Sequence, residues 1–219
     1  MPQKWSTKYE RKPDRWVFEP TDEYRVIGST IKNALFSVWD APDYYFHLRQ
    51  GGHVAALKLH AANTYFIRFD IEDFFGRVNR SRVTRCLKEY FGYNNARDMA
   101  NDSTVQHPVE NGRWVLPYGF VQSPILASLA LSKSRLGREL DRLDRSKATC
   151  VSVYVDDIII SCNNIEQLEL TGALLSELAV KSGLSFGSSK TEGPGTQITA
   201  FNIEPIRRAN IAAKVFLVT

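Results

Sequence analysis

Acidic side chains follow two hydrophobic segments that lie far apart in the sequence. Asp70 comes directly after the run Thr64–Phe69, which is rich in β-forming residues, and Asp156 and Asp157 lie between two further apolar runs. Adjacent carboxylates in such surroundings repel each other and lose hydration, and bound cations offset that cost. Hard oxygen ligands suit Mg²⁺, and paired ions promote phosphoryl or nucleotidyl transfer. The alternative is a polar hairpin tip, because aspartate is common in turns.

Short strands are predicted to position these acids. The run Thr64–Phe69 predicts a strand that stops at Asp70. Val151–Val155 and Ile158–Ile160 predict two strands that flank a turn made of the aspartate pair. We therefore expect all three carboxylates to converge at one edge of a sheet.

Apolar periodicity predicts three long helices. The first ends at Gly92, and its apolar face consists of Val83, Cys86, Leu87, Tyr90 and Phe91. The second begins at Ser123-Pro124 with Ser123 as its cap, and its apolar side consists of Ile125, Leu129, Leu136, Leu140 and Leu143. The third runs from Ile165 to Ser182 and ends at Gly183, with a predicted buried face of Leu168, Leu174, Leu175 and Leu178.

The remaining segments complete the predicted architecture. Asn94–Asp102 is polar and predicts a loop, whereas Asn111-Gly112 is typical of the centre of a tight hairpin. The order of elements predicts an α+β fold in which helices pack on one face of an antiparallel sheet. Because the sequence has no internal repeat and no linker of Pro, Gly and Ser, we expect a single domain over residues 1–219.

Composition is that of an ordinary globular protein. The 219 residues are 43% hydrophobic and carry a net charge of +4. No apolar run approaches the roughly 18 residues that span a membrane, and the basic N-terminal segment lacks the apolar core of a secretion signal. Three scattered cysteines, Cys86, Cys150 and Cys162, argue against a disulfide framework. We therefore expect no membrane association and a cytoplasmic location.

Five ordered motifs resemble those of reverse transcriptases, especially the compact bacterial type found in retrons, group II introns and antiphage defence. The motifs are Phe69–Phe75, Leu116–Pro124, Tyr154–Asp157, Gly183–Phe186 with Ser189–Thr191, and the weaker match Ala200–Ile203. The resemblance implies a polymerase palm with short fingers. It also implies an RNA-directed DNA polymerase that adds deoxynucleotides to the 3′-hydroxyl of a primer on an RNA template.

The resemblance implies roles for individual residues. Asp70 and Asp156 would be the principal ligands of two Mg²⁺ ions, with the Ile71 carbonyl completing one shell and Asp157 nearby. Mn²⁺ is a possible substitute for Mg²⁺. Lys190 corresponds to a lysine that lies near the triphosphate and protonates departing pyrophosphate.

A second group of residues is implied to bind substrate. Phe75 corresponds to the aromatic residue that stacks under the nucleotide sugar, where a bulky ring excludes a ribose 2′-hydroxyl. Tyr118 departs from the family pattern, which usually has glutamine before the following glycine, so we expect unusual nucleotide selection or template use. The other expected substrate contacts are Asp73, Gly119 and Gln122, together with the fingers candidates Arg49, Lys58 and Arg68.

The motif positions also suggest how the chain is divided. We predict an N-terminal and fingers segment over residues 1–63, palm motifs with a fingers insertion over 64–204, and a tail over 205–219. The resemblance leaves no evident thumb. Because the net charge is also small, we expect a noncoding RNA, a protein partner or a second copy of the chain to help hold the template.

Other functions stay open at this point. One alternative enzyme is another palm nucleotidyltransferase, such as an RNA polymerase or a cyclic dinucleotide synthase, although Phe75 and the Ser123-Pro124 block argue against both. A non-enzymatic alternative is a catalytically reduced or template-independent palm that binds RNA or a partner protein. The biological process is either antiphage defence or the life cycle of a retroelement.

Overall fold

The computed structural model describes residues 3–12, 15–200 and 203–206 of the chain. Phe201 and Asn202 of the predicted fifth motif, and residues 207–219 of the predicted tail, lie outside the described residues. The chain forms two compact units, each built from two separate stretches. The first unit is Met1–Ala41 with Asp73–Lys133, and the second is Pro42–Glu72 with Ser134–Thr219. The predicted boundary between residues 63 and 64 stays a prediction.

The chain contains both helices and strands, in mixed order. The helices are α1 (Asp22–Phe36), α2 (Gly52–His60), α3 (Arg80–Phe91), α4 (Tyr93–Ser103), α5 (Ser123–Ser132), α6 (Arg135–Ser146) and α7 (Ile165–Lys181). The strands are β1 (Trp5–Lys12), β2 (Arg15–Pro20), β3 (Tyr65–Asp70), β4 (Val105–Gln106), β5 (Trp114–Val115), β6 (Cys150–Tyr154), β7 (Asp157–Cys162), β8 (Glu192–Gly195), β9 (Ile198–Ala200) and β10 (Ile203–Ile206). In the described part of the chain, no helix is both long and apolar enough to cross a membrane.

The second unit contains a four-stranded antiparallel sheet with the order β6-β7-β3-β8. Strands β3 and β7 pair without a register shift from Tyr65 opposite Cys162 to Asp70 opposite Asp157. Side chains alternate between the two faces of a strand, and directly opposed residues share a face. Arg68, Asp70 and Asp157 therefore lie on the same face, close to the same end of the sheet.

Helix α7 packs on the other face of this sheet, the face of Ile67 and Phe69. The approach is close, because a Cβ atom on Gly172 would lie 2.7 Å from Ile67 Cδ1. The opposite face is also covered, since Phe66 packs against Ile159 and against Leu57 of α2. The predicted antiparallel sheet with helices packed on it is confirmed.

His60 is fully buried and connects α2 to the sheet. Its Nδ1 atom is 2.7 Å from Ser161 Oγ on β7, and its Nε2 atom is 2.8 Å from Ser152 Oγ on β6. A neutral imidazole, with one donor and one acceptor nitrogen, matches two hydroxyl groups. Burial lowers the pKa of His60 to about 3, so the ring is neutral at pH 7.

We expect the stability of the chain to depend on His60 as the pH falls from 7 to 5. Unfolded His60 binds a proton below about pH 6.5, whereas the buried ring does so only near pH 3. The contribution of His60 is therefore present above pH 6.5 and is lost below it at about 1.4 kcal/mol per pH unit. Urea unfolding at pH 7 and pH 5 measures the loss.

His60→Asn is the matched variant for this experiment, because asparagine does not titrate. It should be less stable than the wild type at pH 7, and its free energy of unfolding should change less steeply with pH. Equal pH slopes for the two proteins would contradict the assignment.

The first unit contains a hydrophobic core cluster of Phe18, Tyr24, Val105 and Phe120. Helix α1 begins after Thr21, whose side chain accepts a hydrogen bond from the Tyr24 N–H group. Strands β1 and β2 form one antiparallel hairpin, and the short strands β4 and β5 form another. The cluster thus brings together residues from both stretches of this unit.

The secondary-structure elements predicted from the most regular sequence patterns are confirmed. Strand β3 ends at Asp70, and α3 ends at Gly92, which has a φ of 73°. Helix α7 begins at Ile165 as predicted and ends at Lys181, one residue before the predicted end. The hairpin predicted from Asn111-Gly112 is present, although its loop is longer than a tight turn.

Predictions for less regular segments were wrong. Asn94–Asp102, predicted as a loop, lies within α4, where Ala96, Ala100 and Ser103 are buried at helical spacing. These small side chains pack closely without producing an apolar pattern in the sequence. Leu174, predicted to be buried in α7, is exposed.

The predicted helix from Ser123 past Leu143 is two helices. The first helix, α5, ends at Ser132. Ser134 then caps α6, because its side chain accepts a hydrogen bond from the Gly137 N–H group. Ser123 is the first residue of α5 rather than its cap, and Gln122 occupies the capping position without a side-chain hydrogen bond.

Candidate active site

Asp70 is a nearly buried acid at the end of β3. The carboxylate accepts a hydrogen bond from Lys190 Nζ at 2.5 Å, and its side chain is 9% exposed. The Asp70 carbonyl accepts a hydrogen bond from the Gly187 N–H group at 2.9 Å. Lys190 of the predicted fourth motif therefore binds the carboxylate of the first predicted acid, and Gly187, between the two parts of that motif, binds its backbone.

Asp156 and Asp157 lie beside Asp70 in the second unit. Strands β6 and β7 are joined by a two-residue turn, Val155-Asp156, and Asp157 is the first residue of β7 rather than part of the turn. The Ile71 N–H group donates to the Asp156 carbonyl at 2.8 Å, which connects the end of β3 to the turn. The three predicted acids are thus brought together by strand pairing and by this hydrogen bond.

Arg68 is the partner of Asp157. Its Nε and Nη2 atoms donate to Asp157 Oδ1 at 2.9 and 2.7 Å, and its Nη1 atom donates to the Thr199 carbonyl at 2.8 Å. Burial raises the pKa of the Asp157 carboxyl, and the guanidinium opposes that rise. Arg68 is nearly buried, and its donors bind this carboxylate, the Glu192 carboxylate and a backbone carbonyl, while its expected contact with substrate stays a prediction.

The other two fingers candidates do not form a cluster with Arg68. The Arg49 guanidinium is paired with the Asp43 carboxylate at 3.2 Å and lies over the Phe46 ring. Lys58 is an exposed residue of α2. These positions lend no support to a triphosphate clamp made of the three predicted residues.

The fourth motif lies along the first motif. Phe186 stacks on Phe69 with ring centroids 4.4 Å apart. The Glu72 N–H group donates to the Ser185 carbonyl at 2.9 Å, and the Ser185 hydroxyl donates to the Glu72 carboxylate at 2.9 Å. These contacts bring the first and fourth motifs together, although they are more than a hundred positions apart in the sequence.

The donor atoms at this end of the sheet are chemically suited to Mg²⁺. Two carboxylates, those of Asp70 and Asp156, accompany the Ile71 carbonyl, and Mg²⁺ prefers oxygen ligands of this kind. Lys190 already supplies a positive charge to Asp70, and Arg68 supplies one to Asp157. Among the described residues, no three acidic, histidine or cysteine side chains are grouped closely enough to hold a metal ion.

Phe75 belongs to an aromatic group in the first unit. Its ring is buried, 4.6 Å from the Tyr118 ring in an edge contact and 5.9 Å from the Phe74 ring. The guanidinium of Arg15, on β2, lies 4.4 Å from the centre of the Tyr118 ring. The sequence analysis did not single out Arg15, although it is one of several basic residues in this part of the sequence.

Tyr118-Gly119 packs closely against β2. The Phe18 N–H group donates to the Tyr118 carbonyl at 2.9 Å, and Val17 and Tyr118 form a β-bridge. Gly119 has a φ of 100°, and a Cβ atom there would lie 2.2 Å from the Phe18 carbonyl oxygen. Only glycine satisfies both the backbone conformation and this close approach.

Gly119→Ala is expected to destabilise the protein by about 3 kcal/mol or more, because both the left-handed backbone and the contact with Phe18 would be strained. Gly112→Ala is the matched control. Gly112 also has a positive φ, of 77°, but a Cβ atom there would meet nothing within 4 Å. That change should cost only about 1 kcal/mol. Urea unfolding measures both, and equal losses would contradict the role of the Phe18 contact.

The side chains of Gln122 and Asp73 have local contacts. Gln122 is fully buried, and its Oε1 atom would lie 2.2 Å from a Cβ atom on Gly28. The carboxylate of Asp73 folds over Gly76, and burial raises its pKa. The expected substrate contacts of Gln122 and Asp73 both stay predictions.

Comparison with known proteins identifies the family. The family model described as reverse transcriptase (RNA-dependent DNA polymerase) matches residues 11–199. The chain belongs to the reverse transcriptase family. The retron Ec73 reverse transcriptase of Escherichia coli is 25% identical over 181 residues, which cover 74% of this chain and 54% of that protein. This reverse transcriptase chain therefore spans about half the length of the curated relative.

A solved structure supports the same fold. Telomerase from Candida albicans, determined in complex with a TWJ fragment of telomeric RNA, matches with a TM-score of 0.58 and 12% identity. The match covers 81% of this reverse transcriptase chain and 39% of the telomerase chain. The predicted polymerase palm fold and the predicted bacterial type of reverse transcriptase are both confirmed.

Proposed function

We propose that this chain catalyses RNA-directed DNA synthesis, in which the 3′-hydroxyl of a primer attacks the α-phosphate of a deoxynucleotide and pyrophosphate leaves. The supporting observation is the convergence of Asp70, the Asp156 turn and Lys190 at one end of the sheet. These groups come from three motifs that are far apart in sequence. Their positions and charges suit a reaction in which positioning and charge neutralisation provide most of the catalysis.

Two Mg²⁺ ions are part of this proposal. Asp70, Asp156 and the Ile71 carbonyl would hold them, and Mn²⁺ would be an acceptable substitute. When bound, the ions would supply activation of the primer hydroxyl and neutralisation of the phosphate charge. Asp157 would orient the site through its ion pair with Arg68 rather than act as a principal ligand.

Lys190 would act on the leaving group. Its ammonium group already lies at the Asp70 carboxylate, and it is supplied by the loop that packs on the end of β3. We propose that it donates a proton to departing pyrophosphate.

Primer extension tests the proposed reaction. The full chain would be incubated with an RNA template, a DNA or RNA primer, labelled deoxynucleotides and Mg²⁺. Template-dependent extension supports the proposal. Failure to extend any primer with either Mg²⁺ or Mn²⁺ would favour the alternative of a palm that only binds RNA or a partner.

We also propose that the first unit contacts the RNA template through an aromatic and basic groove. The groove has a volume of about 430 Å³, and the described residues that line it include no carboxylate. Lys8 Nζ lies over the Trp5 ring at 5.7 Å, and the Arg80 guanidinium lies over the Trp114 ring at 3.8 Å. Aromatic rings that stack on bases, accompanied by cations that bind phosphates, are typical of single-strand binding.

Variants of this groove should weaken RNA binding in two different ways. Trp114→Ala is expected to lower the affinity for a single-stranded RNA about tenfold through lost stacking, with little change in salt dependence. Lys8→Ala should lower the slope of log affinity against log salt by about one, because one phosphate contact is lost. Fluorescence anisotropy between low and moderate salt measures both quantities.

The control for these variants is Lys147→Ala, which removes an exposed lysine of the second unit. It should leave the affinity and the slope close to the wild-type values. Equal effects of Lys147→Ala and Lys8→Ala would indicate a response to total charge and would contradict a specific groove.

The biological setting is proposed from the likeness to a retron reverse transcriptase. We propose that the chain acts in a bacterial retroelement or in antiphage defence, with a noncoding RNA, a protein partner or a second copy of the chain supporting the template. Sequencing the nucleic acid that copurifies with the protein from its host tests this. Recovery of one defined RNA, with DNA complementary to part of it, supports a retroelement.

A further inference from the structure

Val155 has an unusual backbone conformation directly before Asp156. It is the first residue of the two-residue turn between β6 and β7, and its φ is 58°. Two-residue hairpin turns require a positive φ at this position, where glycine, asparagine and aspartate are usual. A β-branched residue in this conformation is strained. Some other group must therefore hold the turn in place.

His47 provides that group. The Val155 N–H group donates to His47 Nδ1 at 2.9 Å, although the two residues are 108 positions apart. The imidazole also makes edge contacts with Tyr45 and Tyr154, at centroid distances of 6.0 and 5.8 Å. Burial lowers the pKa of His47 to about 4, so Nδ1 stays available as an acceptor at neutral pH.

The segment that carries His47 is itself fixed to the sheet. The Val153 N–H group donates to the Tyr44 carbonyl at 2.7 Å, and Tyr45 forms a parallel β-bridge with Val153. Both contacts are made to β6, the strand that leads into the turn. The position of the imidazole is thus set by backbone hydrogen bonding two or three residues before it.

We propose that His47 is a positioning residue, which holds the strained Val155 turn so that the Asp156 carboxylate is presented in the geometry that catalysis requires. The inference rests on the proposed function of Asp156 as a principal ligand of the catalytic ions. It extends that function to a residue outside the five motifs, to which the sequence analysis gave no role. His47 would act only through the turn and would touch neither substrate nor metal.

Two substitutions of His47 separate hydrogen bonding from packing. His47→Phe keeps a ring of similar size but removes the acceptor, whereas His47→Asn keeps an acceptor near the position of Nδ1. We expect His47→Phe to lower kcat for primer extension about tenfold with little change in KM for deoxynucleotides. His47→Asn should restore much of the loss. Equal activity of His47→Phe and the wild type would overturn the proposal.

Amide hydrogen exchange at Val155 provides a readout that does not depend on activity. The Val155 amide should be protected in the wild type and in His47→Asn, and its exchange should be about tenfold faster or more in His47→Phe. An unchanged exchange rate in His47→Phe would overturn the proposal even if activity fell. If the wild type extends no primer at all, the proposed function fails, whereas this exchange measurement still tests the hydrogen bond.

A substitution of Val155 itself tests the backbone strain of the turn. Glycine adopts a φ near 58° without cost, so Val155→Gly should make the turn less dependent on His47. The kcat lost in His47→Phe should therefore be partly recovered in the double variant His47→Phe/Val155→Gly. Strictly additive losses would contradict the inference, because residues that act through one another are non-additive.

The control is His53→Phe. The His53 ring also meets the Tyr154 ring, at 6.2 Å, so this variant removes a second imidazole from the same surroundings. It should leave Val155 exchange within about twofold of the wild type. An acceleration as large as that in His47→Phe would overturn the specific role of His47.

Discussion

Replacing Asp70 or Asp156 by asparagine is expected to lower the kcat of primer extension by about a thousandfold or more. Each change keeps the size of the side chain and removes the charge that the proposed ions require. Both variants should remain folded, since the Asp156 carbonyl still accepts the Ile71 N–H group at the turn. Single-turnover extension measures the rate, and calorimetric titration with Mn²⁺ should show weaker ion binding.

Two further variants serve as comparisons for the loss of kcat. Asp157→Asn should cost less than either change, because Asp157 is already balanced by the Arg68 guanidinium. Asp22→Asn removes a fully exposed acid of α1 and should leave the rate unchanged. Activity of Asp156→Asn near the wild-type level would refute the proposed mechanism.

Phe75→Val is expected to reduce the preference for deoxynucleotides over ribonucleotides by about a hundredfold. The resemblance to reverse transcriptases implies that this ring excludes the ribose 2′-hydroxyl, and valine would leave room for it. The edge contact with Tyr118 keeps the Phe75 ring in one orientation. The ratio of kcat/KM for each deoxynucleotide and its ribonucleotide measures the effect.

Phe74→Leu is the matched control for sugar selection. Phe74 is buried beside Phe75, and its ring is stacked on the neighbouring ring. The change should lower stability without altering the preference between sugars. If Phe75→Val and Phe74→Leu change the preference equally, the effect comes from disturbed packing of this aromatic group, and Phe75 does not select the sugar.

The acidic residues proposed to be catalytic were predictable because their signals are local. A run of β-forming residues followed by Asp70, and a pair of acids between two apolar runs, define strand ends without any knowledge of tertiary contacts. Strand pairing then requires Asp70 and Asp157 to lie opposite each other. The positions of the acids could therefore be outlined from the sequence, whereas Lys190 was singled out only by the motif resemblance and its contact with Asp70 was not predicted.

The supporting residues were not predictable in the same way. Arg68 is a candidate substrate contact in the sequence analysis, and only the pairing of β3 with β7 and β8 shows that it is buried beside Asp157. His47 has no motif around it, and its bond to Val155 joins segments that are distant in sequence. Helix α4 was missed because its buried side chains are small, so that its packing depends on shape rather than on hydrophobicity.

The interleaved composition of the two units has a consequence for the order of folding during synthesis. The first unit is complete once Lys133 has been made, whereas the second lacks β6 and β7 until much later. During that interval β3 has been synthesised but has neither β7 nor β8 beside it. An unpaired apolar strand is prone to aggregation, so the nascent chain is most vulnerable between the synthesis of Asp70 and that of Asp157.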